Sequence, residues 1–181
     1  MTPSRSPQSL FERAVKAFGR TAAGRWYVRN ISVLVDPALL RLTGGRISSV
    51  YPVSVMLLTT IGARTGLQRT LPLVYLNEGA GLILVASNFG NKTNPAWYRN
   101  LLANPKVEVL AGKDSGSYLA TEISDPTERE RTWALVLDMN TGYDYYEARA
   151  GDRTIPLISL MRVGRSGPRA ARAAQPPCRH A

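Results

Sequence analysis

The sequence predicts an α+β domain that is mainly antiparallel β: a small barrel of about six strands with helices in its crossovers. Three observations carry that prediction. Apolar runs of strand length outnumber helical stretches, no β-α-β alternation is present, and most connections between runs are short and bear glycine. Closing the sheet into a barrel removes the exposed edges it would otherwise present. The chain has 181 residues, 44% of them apolar, which suits a single core.

Ser9-Leu10-Phe11-Glu12 has capping-box spacing and predicts a helix over 9–19, with Phe11, Ala14, Val15 and Phe18 on one stripe. Such a helix suits packing on the domain or a partner as well as a membrane interface. Asp36-Pro37 reads as the N-cap and first residue of another short helix, which Gly44-Gly45 stops. From residue 53 the period changes to that of strands. Val53–Thr60, Arg69–Leu76 and Gly81–Asn88 are three consecutive apolar, β-branched runs separated by glycine turns, and they predict three antiparallel strands. Asn94-Pro95 opens a helix that ends near Asn104-Pro105. Strands at Lys106–Ala111 and Ser117–Ile123 flank the turn Gly112–Gly116. Asp125-Pro126-Thr127-Glu128 then starts a helix that reaches about Met139, and Ile155–Met161 is the last strand. The divisions are a basic helical segment 1–50, a barrel domain 51–163 and a tail 164–181 whose low hydrophobicity predicts disorder.

Charge follows those divisions. The formal +10 splits into +6 for residues 1–50 (8 basic, 2 acidic), zero for 51–163 (11 of each) and +4 for 164–181 (4 basic). A neutral body gives no basic face for nucleic acid, and the basic ends suit an anionic surface or simple solubility. Cys178 and His180 are the only cysteine and histidine, and both lie in the tail. The body therefore lacks the residues for a zinc or haem site, a Cys–His pair, a Ser–His–Asp triad or a histidine base. One cysteine forms no internal disulfide, which is compatible with a reducing cytoplasm. No uninterrupted apolar run reaches the length of a transmembrane span, and the charged first 30 residues do not read as a signal peptide.

Three segments could carry chemistry. Thr59-Thr60-Ile61-Gly62-Ala63-Arg64-Thr65-Gly66 with Arg69 offers turn amides, a hydroxyl and two arginines suited to phosphate or carboxylate oxygens; a plain turn with solvated arginines is the commoner reading of these residues taken alone. Val85-Ala86-Ser87-Asn88-Phe89-Gly90 followed by Asn94-Pro95-Ala96-Trp97 ends a strand in small polar residues and presents a helix start. Trp97 there is either the floor for a planar ligand or a core residue. Gly142-Tyr143-Asp144-Tyr145-Tyr146 supplies aromatic walls and phenol donors, or a lid or interface without chemistry.

The succession of these segments with Arg69-Thr70-Leu71-Pro72-Leu73-Val74-Tyr75-Leu76, the helix Asn94–Pro105 and Arg153-Thr154-Ile155-Pro156 resembles the deazaflavin-dependent nitroreductase family over roughly residues 50–162. That resemblance implies a split β-barrel of the FMN-binding type and a reduced 8-hydroxy-5-deazaflavin, coenzyme F-420, as cofactor with no metal. It also implies hydride transfer to a quinone, nitroaromatic or similar conjugated acceptor. On this chain, Ala63, Arg64, Thr65 and Arg69 would hold the acidic tail of the cofactor, and Pro72, Leu73 and Val74 would run along its ring. Ala86, Ser87 and Asn88 would face the deazaflavin, while Ala96, Trp97 and Asn100 supply the helix side. Tyr143 and Tyr146 match tyrosines of the cofactor and substrate site, so that Ser87, Tyr143 and Tyr146 are the expected catalytic residues. Two positions depart from the family's pattern: Ala63 stands where a basic residue is common, and Asn140 where quinone and nitro reducers place another aromatic. The expected protein is a cytoplasmic monomer or homodimer that touches the inner face of the plasma membrane through its N-terminal helix. The alternatives are an FMN- or biliverdin-type reductase of the same barrel, or a non-catalytic deazaflavin-binding protein.

Overall fold

The computed structural model describes residues 21–50 and 53–163. The predicted helix over 9–19 and the 164–181 tail lie outside the described residues. The chain enters through α1 (Ala22–Tyr27), a π-turn (Val28–Ser32) and α2 (Val33–Leu42), which run on as one helical stretch. Asp36 and Pro37 therefore sit inside α2, not at its start as the sequence predicted. The Asp36 carboxylate is fully buried and accepts hydrogen bonds from Ser32 Oγ and, at 2.7 Å, from the Ser49 amide, so it ties the following loop to the helix instead of capping a terminus. Gly44 and Gly45 end the helix as expected, with φ of +62° and +80°. A Cβ on Gly45 would lie 2.5 Å from the Gly112 nitrogen, so this close approach requires glycine.

Seven strands follow: β1 (Val55–Ile61), β2 (Gln68–Val74), β3 (Leu76–Glu78), β4 (Gly81–Val85), β5 (Lys106–Leu110), β6 (Gly116–Glu122) and β7 (Leu157–Arg162). They form one antiparallel sheet in the order β2-β1-β5-β6-β7-β4-β3. The run expected as one strand over 69–76 is divided at Tyr75. Up to Val74 it pairs with β1, the Tyr75 amide donates to Ser54 O, and from Leu76 it pairs with β4. Consecutive residues thus belong to opposite edges of the sheet, which curls it into a half-barrel and leaves β2, among the described residues, paired on one side only. The sequence's third strand stops at Val85, short of the predicted Asn88, because Ser87 already turns into helical backbone and Asn88 and Phe89 follow in left-handed backbone.

Period-two alternation sorts the strand side chains into separate cores. Met56, Leu58, Leu82, Leu84, Val107, Val109, Ile158 and Leu160 fill the barrel, and α3 (Ala96–Ala103) packs Trp97, Tyr98 and Leu101 against them. On the outer face, α2 lays Leu40 on Val55 and Leu57. Elsewhere outside, α4 (Pro126–Met139) and α5 (Gly142–Ala150) cover Ile83, Ile123 and Leu157 with Val136 and Tyr143. The start of α4 follows the sequence expectation: Asp125 Oδ1 accepts from the Glu128 amide at 2.8 Å and Pro126 takes the first turn.

Candidate functional site

The β1–β2 turn is closed by Gly62 N to Leu67 O and Gly66 N to Gly62 O, both 2.8 Å, with Gly66 at φ +66°. Ala63, Arg64 and Thr65 at its tip and Arg69 on β2 are exposed. A side chain from α3 holds the turn in place. Asn100 Oδ1 accepts from the Ala63 amide at 3.0 Å, and Asn100 Nδ2 donates to the buried Thr60 hydroxyl at 3.2 Å. Asn100 thus joins the helix to the turn, and its amide is spent on protein contacts. Among the described residues the ion pair formed is Arg131–Glu78, so neither Arg64 nor Arg69 has a carboxylate partner there. Two guanidiniums without an ion-pair partner among the described residues, one on the pinned turn and one on the adjoining strand, have the donor geometry that suits phosphate or carboxylate oxygens.

At the end of β4, Ala86 is buried and Ser87 and Asn88 are half-buried. Asn88, Phe89 and Gly90 follow with φ of +47°, +54° and +73°. Two non-glycine residues in this region cost about 1–3 kcal/mol each, so the surroundings must hold them. Arg153, between α5 and β7, supplies much of that hold. Its Nη2 donates to Ser87 O (2.7 Å), Nη1 to Asn94 Oδ1 (2.7 Å) and Ala86 O (3.3 Å), and Nε to Asn91 O (2.9 Å). Burial pulls this guanidinium below its usual pKa. Asn94 accepts from Arg153 while Pro95 takes the N-cap position of α3, so α3 starts where the sequence placed it but without a side-chain cap.

The tyrosine segment is helix α5, which was not foreseen from sequence. Tyr146 meets Phe89 edge-on at 5.9 Å between ring centres and Tyr143 at 5.7 Å; Tyr143 also meets Trp133 at 6.4 Å. A Cβ on Gly90 would lie 2.7 Å from Tyr146 O, so the left-handed turn and α5 fit only with glycine there. Burial, reinforced by Tyr146, raises the Tyr143 phenol far above the ordinary tyrosine range and keeps it protonated. Tyr143 is 7% exposed, and its hydroxyl has no hydrogen-bond partner among the described residues.

The sequence-predicted residues therefore gather in two groups along α3, a helix of eight residues and about 12 Å. Ala63, Arg64, Thr65, Arg69 and Asn100 make one group. Ala86, Ser87, Asn88, Tyr143 and Tyr146 make the other, joined to α3 through Arg153 and Asn94. Ala96, at the first turn of α3, is exposed beside that junction. Pro72, Leu73 and Val74 are half-buried on β2, whose outer edge has no strand partner among the described residues. Trp97 stands apart. It is 7% exposed in the barrel core with Leu82, Leu84 and Ala86, whereas Tyr143 packs on Ile83 and Val85, so the two rings lie on opposite faces of β4. Trp97 here is the core tryptophan of the two readings its sequence allowed. Among the described residues no group of three or more His, Cys, Asp or Glu could hold a metal, and no helix is long and apolar enough to cross a membrane.

Residues 33–162, which run from the start of α2 to the end of β7, match the family described as F420H(2)-dependent quinone reductase. An F420H(2)-dependent quinone reductase of Mycobacterium tuberculosis is 36% identical over 146 residues, which cover 76% of this chain and 97% of the relative. Among solved structures, the F420-H2 dependent reductase FDR-A is 34% identical with a TM-score of 0.53, covering 59% of this chain and 92% of its own. A chain described as a domain-swapped dimer is 29% identical with a TM-score of 0.55, covering 75% of this chain and 98% of its own. Identity at this level across nearly the whole of the relative, and a match bounded by the same helix and strand that bound the barrel, place this chain in the F420H(2)-dependent quinone reductase family.

Proposed function

We propose that this protein is an F420H2-dependent oxidoreductase that reduces quinones, with nitroaromatic and similar conjugated acceptors as a second substrate class. The family match across the barrel carries the proposal, and the unpaired Arg64 and Arg69 on a pinned turn fit the acidic tail of the coenzyme. Ala63, Arg64, Thr65 and Arg69 hold that tail. The free edge of β2 through Pro72, Leu73 and Val74 runs along the ring, with Ala86, Ser87 and Asn88 against it. Ala96 and Asn100 bound the site from α3, and Trp97 supports it from the core beneath Ala86. When bound, the reduced coenzyme supplies a hydride equivalent, and one further proton completes the hydroquinone. The chain's own part is to orient the reactants, exclude water and stabilise charge that develops on the acceptor oxygen. The Ser87 hydroxyl and the Tyr143 phenol are the donors for that oxygen, and Tyr146 completes the aromatic wall. A protonated Tyr143 whose hydroxyl has no hydrogen-bond partner among the described residues is suited to donate.

The same reading includes contact with an anionic membrane surface, where lipid-soluble quinones reside. Leu34 and Leu42 are 76% and 86% exposed, Trp26 and Ile47 are exposed too, and residues 1–50 carry +6.

Anaerobic titration with oxidised coenzyme F420, FMN and NADPH tests the assignment. Binding of F420 alone is expected, with affinity that falls as salt is added. Arg64→Gln with Arg69→Gln should weaken it about tenfold or more and flatten the salt dependence. Binding of FMN alone would move the protein to the flavin reductases of this barrel. F420 binding without acceptor-dependent oxidation would make it a deazaflavin carrier.

A further inference from the structure

Arg153 belongs to neither group of site residues, yet it lies behind one of them. The loop that bears it is stitched to the end of β4 from two directions: Ala86 N donates to Pro156 O at 2.9 Å, and the Arg153 guanidinium returns to Ala86 O and Ser87 O. All four of its acceptors are neutral, three carbonyls and the Asn94 side-chain amide. A guanidinium with a fixed fork geometry sets the directions of the groups that bind it. In a trans peptide the carbonyl of one residue and the N–H of the next point to opposite sides. With the Ala86 and Ser87 carbonyls both turned to Arg153, the Ser87 and Asn88 amides are turned away from it, side by side. The left-handed residues 88–90 begin at the second of those peptides, and Tyr146 seals the turn from the other side.

We propose that Arg153 is a positioning residue for the coenzyme site. It fixes the Ala86–Ser87 and Ser87–Asn88 peptides so that the Ser87 and Asn88 amides are presented to an acceptor atom of the coenzyme ring. Through Asn94 it sets the start of α3 from the same guanidinium. The inference rests on the reading above, in which the ring lies against Ala86, Ser87 and Asn88.

The test uses the full-length protein as wild type, Arg153→Met, Arg153→Lys and Arg162→Met. Arg162 is the control, because its guanidinium bonds the Lys113 and Ser115 carbonyls of the β5–β6 connection. The readouts are melting temperature, Kd for oxidised coenzyme F420, and kcat and KM for the reduced coenzyme and a soluble naphthoquinone, all measured well below the lowest melting temperature. Arg153→Met should raise the Kd and the coenzyme KM about 10- to 100-fold and lower kcat, with the quinone KM within about twofold of wild type. Arg153→Lys should recover little, since one ammonium cannot span four acceptors. Arg162→Met should move only the melting temperature. If Arg153→Met fails to fold, Asn94→Ala removes one acceptor and should give the same change in smaller measure. A folded Arg153→Met protein that binds and turns over as wild type overturns the proposal. Full rescue by lysine also overturns it, because charge and not peptide orientation would then be the cause. Wild-type protein that does not bind F420 overturns the site assignment itself and the proposal with it.

Discussion

At the scale of single residues, Tyr143 has its ring and its hydroxyl in different roles. The ring packs between Trp133 and Tyr146, while the hydroxyl makes no protein hydrogen bond among the described residues. Tyr143→Phe should therefore leave the melting temperature within about 2 °C of wild type and lower quinone turnover about tenfold or more; anaerobic steady-state assays check both the rate and the unchanged coenzyme affinity. The same burial makes stability depend on alkaline pH. Tyr98 donates to Glu122 Oε2 at 2.7 Å, and burial with that carboxylate pushes its phenol up to about 12; Tyr143 is raised further. These phenols bind protons more tightly when folded, and in the unfolded chain they titrate near the ordinary tyrosine value of about 10. Their stabilisation is complete below about pH 10 and is lost as pH rises from there through the folded values. Urea midpoints between pH 8 and about 11.5 should fall above about 10, and less steeply in Tyr98→Phe. Tyr143 could be singled out from sequence because three aromatics in four positions are visible locally. Arg153 was visible only as a letter in a motif, since its acceptors lie 59 to 67 positions away.

At the scale of elements, similar local signatures led to different outcomes. Asp125-Pro126 caps α4 as expected, and Asp125→Ala should cost about 1 kcal/mol, a fall of about 2–4 °C in melting temperature, with turnover unchanged. Asp36-Pro37 has the same pattern, but the Ser49 amide 13 residues later claims the carboxylate, and the helix had already begun upstream. Asn100 shows how an element positions the site. Asn100→Ala frees the β1–β2 turn from α3 and leaves the Thr60 hydroxyl buried without that donor, a cost of about 1–3 kcal/mol. Calorimetry should show that loss, and coenzyme titration a weaker affinity, because the turn that carries Arg64 is no longer held. The helix of Tyr143 and Tyr146 escaped the sequence reading because its tyrosines and alanines alternate with charged residues and give no strong helical stripe. Its order comes from Trp133, Phe89 and the barrel face on which it rests.

At the scale of the whole molecule, one chain segment serves both edges of the sheet and curls it into a half-barrel, and the proposed site lies beside the β2 edge, which has no strand partner among the described residues. The exposed apolar side chains of α1 and α2 lie on a helical stretch whose buried side contains Ser32, Asp36 and Leu40, so part of its apolar content packs on the sheet and part is turned outward. Leu34→Ser with Leu42→Ser should reduce flotation of the full-length protein with anionic vesicles and leave coenzyme affinity unchanged. Equal flotation of variant and wild type would remove α2 from any membrane contact. The sequence by itself determined the class of fold, the positions of six apolar strand runs, the cap of α4, the absence of histidine and cysteine chemistry from the body, and the order of motifs that carries the family resemblance. All of these depend on side-chain period, composition or short spacing, which are properties of neighbours along the chain. Only the tertiary structure decided that the second run divides at Tyr75 and that Trp97 and Tyr143 lie on opposite faces of β4. It alone placed Asn100 against the turn and Arg153 behind Ser87, because each depends on which distant segments the curled sheet brings within hydrogen-bonding reach.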